Sequence, residues 1–188
     1  MRPNDLPAPL AAPLDAAGSA RRADALGVAP LDPMALRQAL GRYATGVTLV
    51  TCRAADGRPV GLTVNSFTSL SLDPPLVLWS LRQASGLLPS FEAATHFAVN
   101  VLSEAQIALS RRFASPEPDK FGAGDWHEGL ARLPLLAGCI ARFECAVEAR
   151  HAHGDHVLYI GRVLRLHSTE GAPLVYQGRH YHGLGPAL

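Results

Sequence analysis

The order of the β-rich runs limits the folds open to this chain more than any other feature. From residue 47 onward, apolar and β-branched segments succeed one another across short turns, with no regular alternation of strand and helix. VTLVTCRA (47–54) leads through an Asp56-Gly57 pair into GLTVNSFTSLSL (61–72), and Asp73, Pro74 and Pro75 separate that from LVLWSL (76–81). HFAVNVL (96–102) follows, and CIARFECAVEARHA, HVLYIGRVLRLHS and PLVYQ are the last β runs. Asp-Gly between two such runs marks a tight hairpin, because its residues tolerate positive φ. A doubly wound parallel sheet needs a helix after each strand, and this order does not supply one. Six or seven hairpin-connected strands predict a mainly β fold, a closed antiparallel barrel with peripheral helices.

Three helices are expected at its margins. Asp32 as N-cap, Pro33 in the first turn and the stripe Met34, Leu36, Ala39, Leu40 and Tyr43 predict a helix ending near Gly46. A short helix is expected over 87–94. Ser103 with Gln106 three residues on forms a capping box that opens a helix over 103–114. The unbroken apolar run LVLWSL reads as a strand buried on both faces, and the Pro- and Gly-bearing segment 115–137 as irregular.

A chain of 188 residues suits one domain with a full core. Residues 1–30, rich in Ala, Pro and Asp, bury too little apolar surface to offset their ordering entropy, so a flexible arm precedes a domain over 31–188. Leu26, Val28 and Leu31 are the arm's candidates for docking on a partner subunit. With 17 basic and 16 acidic residues, no field of one sign points to nucleic acid or an anionic membrane. Cys52, Cys139 and Cys145 are odd in number and form no CxxC, which suits reduced thiols in a cytoplasmic protein. Prolines interrupt the N-terminal stretch, and no uninterrupted apolar run reaches the ~18 residues of a membrane span.

No GxGxxG follows a strand, and neither GxxxxGK[ST] nor GxSxG occurs, which removes the usual bases for nucleotide and serine hydrolysis. HAHGDH places His151 and His153 two apart with Asp155 and His156 close behind, and His180 and His182 repeat the spacing. Such pairs can hold zinc, iron or copper in a β-barrel oxygenase; they are equally at home in a Gly-Asp hairpin turn. No carboxylate lies at helpful spacing on the same strand, which favours the turn and no metal.

The stretch 61–72 collects Thr63, Asn65, Ser66, Thr68, Ser69 and Ser71. The adjacent pairs Asn65-Ser66 and Thr68-Ser69 break strict alternation, so they put polar groups on both faces or mark an irregular turn. Hydroxyls and outward amides together make a lip for an anion or a heteroaromatic ring. A plain strand with one wet face uses the same residues.

RYATGVTLVT, DGRPVGLTVNSFTSLSLDPPLVLWSL, FAVNVLS, RRFA, DKF, GDHVLYIGRV and PLVYQGRHYHGL occur in that order between Met34 and Leu184. In these motifs the chain resembles the flavin reductase-like family, in particular the reductase components of two-component flavin-dependent monooxygenases. The resemblance implies an FMN-binding split β-barrel of Greek-key type, usually a homodimer. It would reduce FMN or FAD with NADH or NADPH, by hydride transfer to flavin N5, for release to a separate monooxygenase. By the same resemblance Thr63, Val64, Asn65, Ser66 and Phe67 line the flavin, and Ser69 and Leu70 continue the lip. Ser80, Leu81, Arg82 and Ser85 approach the ribityl chain and phosphate, with Lys120 and Phe121 near the phosphate end. His156 and Tyr181 lie toward the nicotinamide, His156 as its possible positioning group. Where relatives carry Lys or Arg in the loop matching Gln83 to Gly86, this chain has QASG, leaving Arg82 and Lys120 to supply the phosphate charge. A flavin-binding electron carrier or sensor of the same fold, without free-flavin turnover, is the alternative; a metal-dependent oxygenase built on the histidines is the second.

Overall fold

The computed structural model describes Gly27 and residues 29–187, so the expectations for Leu26, Val28 and nearly all of the arm lie outside the described residues. The chain parts after Leu36. The first helix, α1 (Pro33–Leu40), is capped as its sequence requires: the Asp32 carboxylate accepts the N–H groups of Met34 (3.0 Å) and Ala35 (3.1 Å). It stops at Leu40, short of the expected Gly46, because Thr45–Gly46 is drawn out as a strand, β1.

Strands β2 (Thr48–Arg53), β3 (Pro59–Val64), β4 (Thr68–Leu72) and β5 (Pro75–Arg82) follow, with Gly57 at φ 82° in the β2–β3 turn as the Asp-Gly pair predicts. Helix α2 (Leu88–Ala93), strand β6 (His96–Val101), a 3-10 turn (Glu104–Gln106) and helix α3 (Ile107–Ala114) come next. The Ser103–Gln106 capping box forms, though on the 3-10 turn rather than on one continuous helix. The segment read as irregular contains a short ribbon, β7 (Trp126–Glu128) and β8 (Pro134–Leu136). Strands β9 (Ala141–His153) and β10 (His156–Ser168) are 13 residues each, joined at Gly154-Asp155 with Gly154 at φ 59°. A short pair, β11 (Val175–Gln177) and β12 (His180–His182), closes the order, and β12 had no signal of its own in the sequence.

The main sheet has seven strands in the order β3-β2-β6-β9-β10-β5-β4, all antiparallel; β1, β11 and β12 form a second, smaller sheet. The two ends of the main sheet, β3 and β4, are consecutive in the chain and are joined only by Asn65, Ser66 and Phe67. A flat sheet of this width would hold its outer strands about 29 Å apart, whereas that link spans at most on the order of 14 Å. The sheet must therefore curl until its ends meet, which makes a split barrel with the corner 65–67 at the split. The hydroxyl-rich stretch is accordingly two strands and a corner, not one strand.

Side chains pointing inward fill the barrel. Trp79 stacks on Tyr159 (4.6 Å, 13°) and takes the edges of Phe91 (5.1 Å) and Phe97 (5.8 Å). A second apolar cluster gathers Leu49, Leu102, Phe113, Leu136 and Leu174. LVLWSL is buried on one face only: Val77, Trp79 and Leu81 point into the core, and Leu76, Leu78 and Ser80 are half-exposed. Among the described residues no helix is long and apolar enough to cross a membrane.

Candidate functional site

At the corner most polar groups already have partners. The Thr63 hydroxyl donates to the Ser110 carbonyl (2.6 Å), tying β3 to α3, and Thr48 donates to the Val64 carbonyl (3.0 Å). The Ser66 hydroxyl accepts the Ser80 N–H (3.0 Å), so it ties the corner to β5 just beyond the last β4–β5 pair, Thr68 with Leu78. Phe67 packs on Phe143 at 5.6 Å. Asn65 differs: it is exposed, and among the described residues its amide has no hydrogen-bond partner.

That amide borders two hollows. The wider, about 840 Å³, is lined among others by Arg37, Tyr43, Thr45, Asn65, Tyr176 and Arg179. The narrower, about 190 Å³, adds Val47, Thr63, Ala114 and Tyr181, and shares Asn65 and Tyr176 with the first. Tyr181 is held by a 2.8 Å hydrogen bond with the fully buried Ser110 hydroxyl, with Tyr176 edge-on at 5.3 Å and the Arg111 guanidinium 5.7 Å from its ring centre. An aromatic wall thus faces an uncommitted amide, a pairing suited to a flat heterocycle with a polar edge.

A third hollow, about 330 Å³, is lined by Leu62, Ser80, Arg82, Ser85 and His156 with their neighbours. His156 sits opposite Arg82 across the β10–β5 ladder, and its Nδ1 lies 2.8 Å from the Asp155 carboxylate. That hydrogen bond, then the His156 charge, holds the Asp155 carboxyl below the ordinary carboxylate value. With the proton on Nδ1, Nε2 is the imidazole's free atom.

The residues picked from the sequence therefore fall into separate groups. Thr63, Asn65 and Tyr181 come together, as do Ser80, Arg82, Ser85 and His156, and Asn65 with Ser66 and Phe67 lines the wide cleft. The side chains of Val64 and Leu81 are core groups, 5% and 3% exposed, which leaves only their backbone to face a ligand. Val64 thus has no side chain to offer a ring system. Ser69 and Leu70 lie on the exposed outer strand and line none of these hollows. Lys120 and Phe121 border a different hollow of about 140 Å³. The Lys120 ammonium donates to the Phe113 carbonyl (2.9 Å), and burial pushes it below its ordinary value. Phe121 meets Phe113 edge-on at 5.0 Å.

Arg37, Tyr43, Thr45, Tyr176 and Arg179 are cleft residues the sequence reading passed over. Tyr176 sat inside a run read as plain strand, and only the Gly178-Arg179 turn carried any signal. Among the described residues no group of three or more His, Cys, Asp or Glu is placed to hold a metal ion. His180 and His182 each spend one ring nitrogen on a backbone carbonyl, Gly178 at 2.9 Å and Gln177 at 3.2 Å. The three cysteines are buried, and burial pushes each thiol up to about 12, which removes them as nucleophiles.

The family described as flavin reductase like domain matches residues 40–185. The chain is 48% identical over 142 residues to an FMN reductase (NADH) of Agrobacterium fabrum, covering 76% of this chain and 80% of that one. It is 40% identical over 163 residues to the reductase subunit of a flavin-dependent monooxygenase of Rhodococcus jostii, covering 86% and 83%. It spans only 42% and 60% of two Rhizobium meliloti relatives. Among solved structures, a Streptomyces globisporus NADH:FAD oxidoreductase in complex with NAD and FAD fragments superposes with a TM-score of 0.78 at 34% identity, over 85% of this chain and 98% of that one.

Proposed function

Since this chain belongs to the flavin reductase like domain family, we propose that it reduces FMN or FAD with NADH or NADPH and hands the reduced flavin to a separate monooxygenase. One observation in the structure carries this reading furthest: the unpartnered Asn65 amide at the barrel's split, facing the Tyr176–Tyr181 wall across hollows large enough for a flavin ring. The flavin, when bound, supplies the hydride-accepting chemistry. The protein's own work is to bind and orient. Asn65 offers a donor and an acceptor to the polar edge of the ring, and the tyrosines cover an apolar face. His156, its ring set by Asp155, positions the nicotinamide, and Arg82 draws a phosphate. No nucleophile is required, consistent with the buried thiols. A hydride donor carbon about 3 to 3.5 Å from its acceptor is the geometry these contacts must hold.

The working form we propose is a cytoplasmic homodimer. Leu72 (92% exposed) and Leu70 on β4, with Leu164 and Leu166 (68%) on the part of β10 beyond its pairing with β5, leave apolar surface on both sides of the β4–β5 turn. A second copy over this face would bury it. The domain proper is taken as 31–188.

Anaerobic stopped-flow mixing with NADH and NADPH in parallel tests the reaction. Flavin bleaching that turns over with added free flavin supports the reductase. Reduction confined to one bound equivalent favours an electron carrier or sensor, and no bleaching with either donor overturns the proposal.

A further inference from the structure

Several guanidinium groups in the described structure are neutralised by a carboxylate or spent on carbonyls. Arg53 and Arg132 meet Glu128, Arg58 meets Asp56, and Arg162 meets Glu148. Arg37 and Arg179 are among those that are not, and these two share a cleft. Both line the wide cleft, whose lining contains no Asp or Glu, and among the described residues neither has an ion-pair or side-chain hydrogen-bond partner. They spring from one corner. Gly41, whose N–H closes a helical turn on the Arg37 carbonyl (3.0 Å), accepts the N–H of Gly178 (2.8 Å), the residue before Arg179. Arg179 also sits at φ 70°, directly after Gly178 at φ 57°. Two successive positive φ values make the tight hairpin turn whose second position favours glycine, so the arginine is held there against backbone preference. In the same cleft the Thr45 hydroxyl oxygen is buried without a partner among the described residues.

Two guanidiniums and a hydroxyl without partners among the described residues, beside Tyr43 and Tyr176, suit a phosphate joined to a flat heterocycle. Resting on the flavin-reductase reading above, we propose that Arg37 and Arg179 form a clamp for the phosphate of the bound nucleotide, whose ring extends toward Asn65. The clamp takes over the charge the sequence reading gave to Lys120, which is occupied by the Phe113 carbonyl and borders a different hollow. The phosphate belongs either to the flavin or to the pyridine nucleotide.

The test uses the full chain with Arg37→Gln, Arg179→Gly and both together. Flavin affinity is read by fluorescence for FMN and for riboflavin, which lacks the phosphate. The KM for NADH is read with riboflavin as acceptor. If the clamp holds the flavin, the double variant loses roughly 10- to 100-fold in FMN affinity and keeps its riboflavin affinity. If it holds the pyridine nucleotide, the KM for NADH rises by a similar factor while the preference for FMN over riboflavin persists. Arg179→Gly should melt at or above the wild-type temperature, so lost binding is not lost fold. Unchanged FMN preference and unchanged KM in the double variant, with flavin reduction intact, overturn the clamp alone. A wild-type protein that binds no flavin overturns the parent reading and the clamp with it.

Discussion

Asn65 and Ser66 are neighbours of similar chemistry, and the structure predicts opposite consequences for removing them. The Ser66 hydroxyl is the partner of the Ser80 N–H at 3.0 Å, in a half-buried position where no other group takes its place. Ser66→Ala leaves that donor unsatisfied, a loss of about 1 to 3 kcal/mol, which for a chain of this length lowers the melting temperature by roughly 2 to 12 °C. Asn65 is exposed and bonded to nothing among the described residues, so Asn65→Ala should change stability by no more than about 0.5 kcal/mol. Its amide can make two hydrogen bonds to a ligand edge, worth ~1 to 3 kcal/mol together, so flavin affinity should fall roughly 5- to 150-fold. Thermal melting and fluorescence titration with FMN on the same two variants separate the effects. Flavin affinity unchanged in Asn65→Ala, with a melting temperature that falls instead, would refute the assignment of that amide to a ligand.

Gly161→Ala should be strongly destabilising, because a Cβ there would lie 2.3 Å from the Phe97 ring, itself packed edge-on against Trp79. Urea unfolding should show a loss of about 1 to 3 kcal/mol, partly recovered when Phe97→Leu is added. All three thiols should resist a thiol reagent at pH 8 in the native protein and react on denaturation, since burial holds each near 12; a fast native phase would contradict their burial. Asp155 has a folded pKa lowered by its bond to His156, so its stabilising contribution is full above the unfolded value of about 3.9 and is lost as pH falls through the folded one. The stability gap between wild type and Asp155→Asn should therefore close as pH falls through the folded Asp155 value, read by urea unfolding across an acid series.

How far the sequence could be read follows from how local each determinant is. The Asp32 cap, the Ser103–Gln106 box, the Asp56-Gly57 turn and the Gly154-Asp155 turn each depend on residues a few positions apart, and each formed. The break at Asn65–Phe67 depends on β3 and β4 lying at opposite ends of the sheet, a fact of strand order that no local pattern carries. For the same reason LVLWSL looked buried on both faces: burial of its second face depends on what lies over β5, not on its own composition. The ribbon β7–β8 hid behind Pro and Gly residues that usually mark loops. Resemblance pointed to stretches of chain, and it could not sort side chains within them. Val64 and Leu81 turn inward, Lys120 caps a carbonyl, and Arg179 entered only once the last hairpin folded against Gly41.

The cleft joins parts of the chain made at very different times during synthesis. Thr45 pairs with Tyr176, so one wall is complete before the other has been translated. The seven-stranded sheet has all its residues once Ser168 is made, and its largest hairpin closes between His153 and His156, a contact of minimal sequence separation. Such local pairing forms early, whereas the β1–β11 contact must wait for a far longer closure. In refolding the full chain, the barrel strands can therefore pair before the two walls of the cleft meet.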